Sequence, residues 1–371
     1  MTTFSDKKRS IKNQKIPHLS LLSFPQYAYP MGLLYPVCCL KHHRNYNITR
    51  MFVKLLLLVG FLHLYELKAW QPTAAAEVWK KGVGKFYNFD FSGSLKDFRD
   101  AVAGSGGTEE GLEYQYWLSK ALWVEMLDAQ TDINVDFMTA TLERSKVDLN
   151  ALDHDLQNEF LASTESGIQR CQTRLKVDPE DLTAFYYLAA FRSNKAAYEL
   201  LIESRRFAAL SDIKQSMRMF SQVLKRDPSR VQALALTGLG HYLVGSNPWY
   251  IRVLNPLIGL DGTTAQGIDE LGRAAAMGNV DAKFILKSAF VREGRPNEAL
   301  DLLQQLSKSY PRNISFLLQM GELLSQSGRG SEAQAAFNEA LRIVAAKGTT
   351  DSRYTTLKIE GIARNAHVRL R

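Results

Sequence analysis

Apolar residues recur every three to four positions through nearly all of residues 75–371, and prolines and glycines fall between the periodic runs. That spacing predicts helices over 75–87, 92–103, 109–127, 134–145, 152–176, 181–204, 207–225, 230–244, 248–257, 263–277, 281–293, 296–309, 313–326, 330–346 and 351–369. No stretch alternates convincingly with period two, so the expected fold class is all-α.

The helices recur in a fixed grammar. Setting NEALDLLQQL (297–306) over SEAQAAFNEA (331–340) places Ala299 on Ala333, Leu303 on Phe337 and Leu306 on Ala340, 34 residues apart. Pro179, Pro228 and Pro311 are each followed ten residues later by a small residue: Ala189, Gly238 and Gly321. Two helices approach closely only where one side chain at the crossing is small, and a large neighbour fills the hole beside it. Proline marks the end of the second helix because it cannot continue one. Each pair leaves an apolar face that the next pair covers.

These features resemble the tetratricopeptide repeat. The resemblance implies an α-α superhelix, a solenoid of antiparallel helix pairs. Residues 280–346 fit most fully. TESGIQRCQTRLKVDPE, DIKQSMRMFSQVLKRDPS and FDFSGSLKDFRDAVAG, with Ser94, Phe98 and Ala101 in the last, fit more loosely. The step from Pro179 to Pro228 is 49 residues, so the helices there must be longer. After Gly238 the second-helix signature is delayed to Gly267, Leu271 and Ala274, which leaves an insert at 245–264. Long helices plus an insert are similar to the divergent inclusion-body-clearance family and its bacterial relatives. The matching run is Tyr242, Pro248, Trp249, Leu254, Leu257, Gly259, Asp261, Gly262, Gly267, Leu271, Ala275 and Gly278, with GLDG where that family has adjacent glycines.

The resemblance implies an adaptor without catalysis, whose inner first-helix face holds a protein or peptide partner. By register that groove contains Leu239 and Tyr242 in one unit. Phe284, Ser288, Val291 and Arg292 belong to the next, and Leu318, Glu322 and Ser325 to the last. The aromatic runs EYQYWLSKALW (113–123), AFYYLAAF (184–191) and NPWYIRVL (247–254) read first as packing between helices.

Residues 51–76 have a different character. Lys54 precedes the apolar run Leu55–Tyr65, Pro72 follows, and Thr73–Ala76 supplies small residues. About 20 apolar residues are needed to span a bilayer, and this run is about half that length. It reads as a secretory signal cleaved after Ala75 or Ala76, with export to a periplasm-like space. The alternatives are an uncleaved anchor, which is the one membrane contact expected, and an apolar helix packed on the body. With them go a membrane-anchored or cytosolic scaffold and, further off, a helical enzyme accessory subunit. Residues 1–50 lack sustained periodicity and carry prolines at 17, 25, 30 and 36. The simplest account is a mis-assigned start ahead of Met51. The other is a disordered basic extension.

Charge supports this division. The chain carries 46 basic and 38 acidic residues, a formal +8. Residues 1–50 alone hold eight of the basic and one of the acidic residues, and the body from Glu77 onward balances. A nucleic-acid partner is therefore not expected, since phosphate binding needs clustered cations. Cys171 is the one body cysteine, so no disulfide can form within the body.

No motif for a metal, cofactor or nucleophile appears: no HExxH, CxxC, phosphate loop or GxSxG. No metal and no cofactor are expected. Asp153, His154 and Asp155 read as a solvated helix start, and GSGGT (104–108) as a turn. Residues 347–371 read as the amphipathic capping helix that repeat arrays require.

Overall fold

Side-chain caps and short turns divide the body of the chain into helices. The computed structural model describes residues 73–128, 152–246, 261–346, 356–366 and 368. The chain divides into two units, Met1–Trp70 and Gln71–Arg371, and the described residues all belong to the second. The predicted helices 134–145 and 248–257 lie outside them, as do residues 1–72.

Thirteen helices and no strand occur among the described residues. They are α1 Ala74–Tyr87, α2 Phe91–Gly104, α3 Glu110–Asp128, α4 His154–Val177, α5 Leu182–Leu201, α6 Arg206–Arg226 and α7 Val231–Gly245. Then come α8 Thr264–Ala276, α9 Val280–Arg292, α10 Pro296–Ser309, α11 Ser315–Gln326, α12 Gly330–Ala345 and α13 Thr356–Asn365. The starts follow capping chemistry. Thr73, Asp90, Asp153, Asp181, Thr263 and Asn279 each accept a hydrogen bond from a backbone N–H of the first turn. The Asp153 carboxylate takes the N–H groups of Asp155 and Leu156, so Asp153–Asp155 is a capped helix start.

Each helix packs on the next, from α1 against α2 through to α12 against α13. This includes α3 with α4 and α7 with α8, which undescribed residues separate in sequence. The pairs are α1/α2, α3/α4, α5/α6, α7/α8, α9/α10 and α11/α12, with α13 against α11 and α12. This is the expected superhelix of antiparallel pairs.

The repeat register holds in every second helix. Spaced four and then three residues apart, six triplets are buried: Ser94/Phe98/Ala101, Thr164/Ile168/Cys171, Ser216/Phe220/Val223, Gly267/Leu271/Ala274, Ala299/Leu303/Leu306 and Ala333/Phe337/Ala340. The small partners on the first helices are as tight as the grammar demands. A Cβ on Gly82 would lie 2.8 Å from the Phe98 ring, and one on Gly321 2.6 Å from Phe337. At α7/α8 the approach is closer still. A Cβ on Gly267 would meet Tyr242 N at 2.4 Å and Gly238 O at 2.6 Å, and one on Gly238 would meet Leu271 at 3.0 Å. Pro179 and Pro311 lie in exposed turns after α4 and α10, and Pro228 follows α6 in the same way.

Helix α1 begins at Ala74, inside the stretch read as the end of a signal peptide. Thr73 Oγ1 accepts from Ala76 N, and Ala75 is buried beside Ala101 and Tyr114.

Candidate interaction surfaces

First helices are expected to face a groove, yet α5 and most of α3 and α9 carry no exposed residue. No residue from Gly111 to Leu127 on α3, from Leu182 to Ile202 on α5 and just beyond it, or from Val280 to Phe290 on α9 is exposed. Solvent-facing side chains lie on the second helices, on α1 and at the end of α9. The chain's own N-terminal repeat covers part of the inner face.

The turn between α1 and α2 reaches the repeats formed by α9–α11. Tyr87 packs against Phe284 and Tyr310 with ring centroids 6.1 and 5.1 Å away, and Phe89 faces Phe316 at 6.3 Å. Phe89 holds a left-handed φ of 62°, unusual for a bulky residue. Backbone groups are joined as well. Asn313 Nδ2 donates to Tyr87 O at 3.0 Å, and Arg312 N donates to Asn88 Oδ1 at 3.2 Å.

A charged clasp lies beside this contact. Lys120 on α3 donates to both carboxylate oxygens of Asp281 on α9, at 2.7 and 2.6 Å. The Tyr87 hydroxyl donates to the same carboxylate at 2.9 Å. The Lys120 ammonium sits 4.2 Å from the centroid of Trp117, 5.1 Å from Phe86 and 5.5 Å from Tyr87. Cation–π attraction and the carboxylate thus compensate one desolvated cation from two sides. Burial, followed by the negative charge of Asp281, raises the Tyr87, Tyr116 and Tyr310 phenols above their ordinary range. Tyr186 is raised by burial, then by its neighbours Tyr116 and Tyr187, and by Asp281. All four stay neutral donors or packing groups around the clasp.

The predicted groove residues are therefore distributed differently from their register. Tyr242 and Leu318 are fully buried, and Ser288 is nearly so, its hydroxyl donating to Phe284 O. The Tyr242 hydroxyl donates to Glu293. Leu239 and Phe284 are partly buried and packed on the core. Glu322 is half-buried, and desolvation raises its carboxyl above the usual range. The Ser325 hydroxyl donates to Ala366 O just beyond α13. Val291 and Arg292 are exposed at the end of α9. The structure thus brings Phe284 to the clasp but does not arrange these nine residues along one open channel. Phe284 is taken up by closure between distant repeats, Tyr242 and Leu318 by the core between neighbouring pairs, and Ser325 by the residue after α13, none of which register within one repeat can report.

Three features went unread in sequence. Asp281, Lys120 and Tyr87 carry the closure, and the one signal near them was the aromatic run 113–123 that holds Lys120. Lys287 occupies the position sixteen residues before Leu303, where Gly321 precedes Phe337. It is buried, and its ammonium donates to Gln319 at 2.7 Å. Phe207 stands almost fully exposed at the start of α6. Among the described residues no cluster of three His, Cys, Asp or Glu could hold a metal ion, and no helix is long and apolar enough to cross a membrane.

Residues 290–358 match the tetratricopeptide-repeat family profile. No curated protein matches the chain in sequence. Among solved structures, the chain is similar to MamA, with 18% identity and a TM-score of 0.35, covering 53% of this chain and 98% of that one. It is similar to a thermophilic TPR protein of Thermus thermophilus, with 13% identity, a TM-score of 0.39 and coverage of 68% and 99%. A tetratricopeptide repeat protein from Parabacteroides merdae shares 12% identity with a TM-score of 0.29, covering 79% and 98%.

Proposed function

We propose that this chain is an exported scaffold that binds a protein partner and catalyses no reaction. The observation that carries the reading is the repeat array itself. Six stacked helix pairs keep one buried register, and residues 290–358 match a repeat family whose general use is protein binding. Export rests on Lys54, the run Leu55–Tyr65, Pro72 and the small residues at 73–76. Because α5 and most of α3 and α9 are covered, the partner would engage the outer faces of the second helices and the turns between pairs.

One observation favours a second reading, in which residues 51–76 stay attached as an anchor. Cleavage after Ala75 or Ala76 would remove the Thr73 cap and the buried Ala75 from α1. The intact mass of the native protein from soluble-envelope, membrane and cytosolic fractions separates the two. A soluble exported species beginning at Ala76 or Glu77 supports export. A membrane species beginning at Met51 or Met1 replaces it with the anchored scaffold. In-cell crosslinking tests binding: one dominant protein adduct on the second helices is expected, and purely monomeric protein would overturn the scaffold.

A further inference from the structure

We infer that the outer ridge of α6 is a docking surface for an anionic lipid membrane. The body of the chain is neutral overall, but α6 is not. Along its 21 residues the sequence RFAALSDIKQSMRMFSQVLKR has one acid, Asp212, which is buried and paired with Arg192 at 2.5 Å. Its remaining charges are Arg206, Lys214, Arg218, Lys225 and Arg226, all positive.

Helical geometry lines them up. At about 100° per residue, Phe207, Lys214, Arg218 and Lys225 fall within about 20° of one line along the helix. Ser216, Phe220 and Val223, the buried stripe, lie on the opposite side. From Phe207 to Lys225 the ridge is about 27 Å long at 1.5 Å per residue. Arg218 and Lys225 are exposed, and Lys214 partly so. Several exposed arginines form ion pairs, as Arg99 does with Glu159, Arg342 with Glu339 and, at the end of α6 itself, Arg226 with Glu180. The side chains of Lys214, Arg218 and Lys225 have no ion-pair partner among the described residues.

Phe207 adds the apolar element. The residue is 91% exposed and follows Arg206, while Arg205 is paired with Glu203, and Ser204, three residues earlier, holds φ 61°. An aromatic ring held in water at the end of a cationic line is the composition of an interfacial anchor, with the ring entering the headgroup region and the cations facing lipid phosphates. A membrane fits this ridge better than an acidic protein does. A protein would need to enclose the Phe207 ring, and the hollow beside it, lined by Ser204–Ala208, opens widely to solvent. A planar anionic surface needs no cleft.

The test is flotation of the full-length chain with vesicles of phosphatidylcholine containing about 30% phosphatidylglycerol, against pure phosphatidylcholine. Each Lys or Arg at such a surface is worth about fivefold in affinity. Lys214→Glu, Arg218→Glu and Lys225→Glu together should weaken partition into the anionic vesicles by at least about a hundredfold. Phe207→Ser should weaken it by about tenfold. Reversal of two exposed cations on α1, Lys80→Glu and Lys81→Glu, should leave it nearly unchanged. Residues 1–72 are common to every variant, so the differences read the ridge. If the triple reversal fails to fold by circular dichroism, the glutamine triple replaces it. Equal partition of wild type and triple variant overturns the proposal. So does charge-dependent capture by poly-L-glutamate without vesicle binding, which would assign the ridge to an acidic protein.

Discussion

At single residues, the same amino acid has opposite roles in different helices. Gly84 and Gly321 are both helical glycines. Nothing lies within 4 Å of a Cβ built on Gly84, whereas one on Gly321 would press 2.6 Å from the Phe337 ring, which is fully buried. Gly84→Ala should therefore stabilise the fold by about 0.5–1 kcal/mol, the usual gain from removing backbone freedom in a helix. Gly321→Ala should destabilise it by about 1–3 kcal/mol through overpacking. Chemical denaturation of the two variants checks both signs, and equal shifts would contradict the register. This level of the fold was legible in sequence, because Ala299, Leu303, Ala333 and Phe337 repeat with a spacing that only close helix crossing explains. Lys287 was not legible. Its position asks for a small residue, and only the placement of Gln319 on the next repeat shows how its charge is accommodated.

At the scale of helices, legibility depended on how many faces are buried. The second helices expose one side, so their apolar period was plain, while the ends of α2, α3, α6, α9, α10 and α12 alike fall within about two residues of expectation because caps and turn residues mark them. The first helices α3 from Gly111 to Leu127, α5 throughout and α9 up to Phe290 carry no exposed residue, so nothing along them distinguishes a groove from a core. The basic ridge of α6 was hidden for a related reason: a balanced total conceals a charge gathered on one side of one helix. Junctions between elements are where single side chains do two jobs. Asp181 caps α5 by accepting from Ala184 N at 2.9 Å, and it binds Arg174 of α4 at 2.6 Å. Asp181→Asn keeps a capping oxygen but loses the ion pair, while Asp181→Ala loses both. The alanine variant should cost about 1 kcal/mol more than the asparagine variant, the typical value of a cap. Similar melting shifts for the two would mean that the ion pair alone holds this junction.

For the whole molecule, the deciding contacts join residues 161 to 226 positions apart, and no repeat grammar reports them. Tyr87, Lys120 and Asp281 tie the first and second pairs to the fifth. The surrounding tyrosines predict an alkaline limit. Tyr87, Tyr116, Tyr186 and Tyr310 have folded values raised above the unfolded value of 10.0. A raised acid contributes stability that is fully present below the unfolded value and is lost as pH climbs through the folded one. Stability should thus hold with respect to these groups up to about pH 10 and fall beyond it. Urea midpoints measured from about pH 8 to about pH 11 check this, and a flat profile above about pH 10 would rule it out.

The clasp gives the sharper test of closure. Lys120 and Asp281 are only 15% and 36% exposed, so removing one partner strands the other charge in a largely desolvated place. Lys120→Met and Asp281→Asn should each destabilise the fold, and the double variant should cost less than their sum, with a coupling of about 1–3 kcal/mol. Stability alone would not separate closure from an ordinary local pair, and hydrogen exchange does. If the clasp holds the first repeat against the fifth, Asp281→Asn should speed exchange at Arg312, whose N–H donates to Asn88, and through the α1–α2 turn. The α12 amides, packed on α11 and α13 away from the clasp, should keep their rates. Uniform acceleration across all helices would mean that the molecule opens only by global unfolding. Unchanged exchange at Arg312 would mean that the aromatic contacts of Tyr87 and Phe89 close the molecule without the charges.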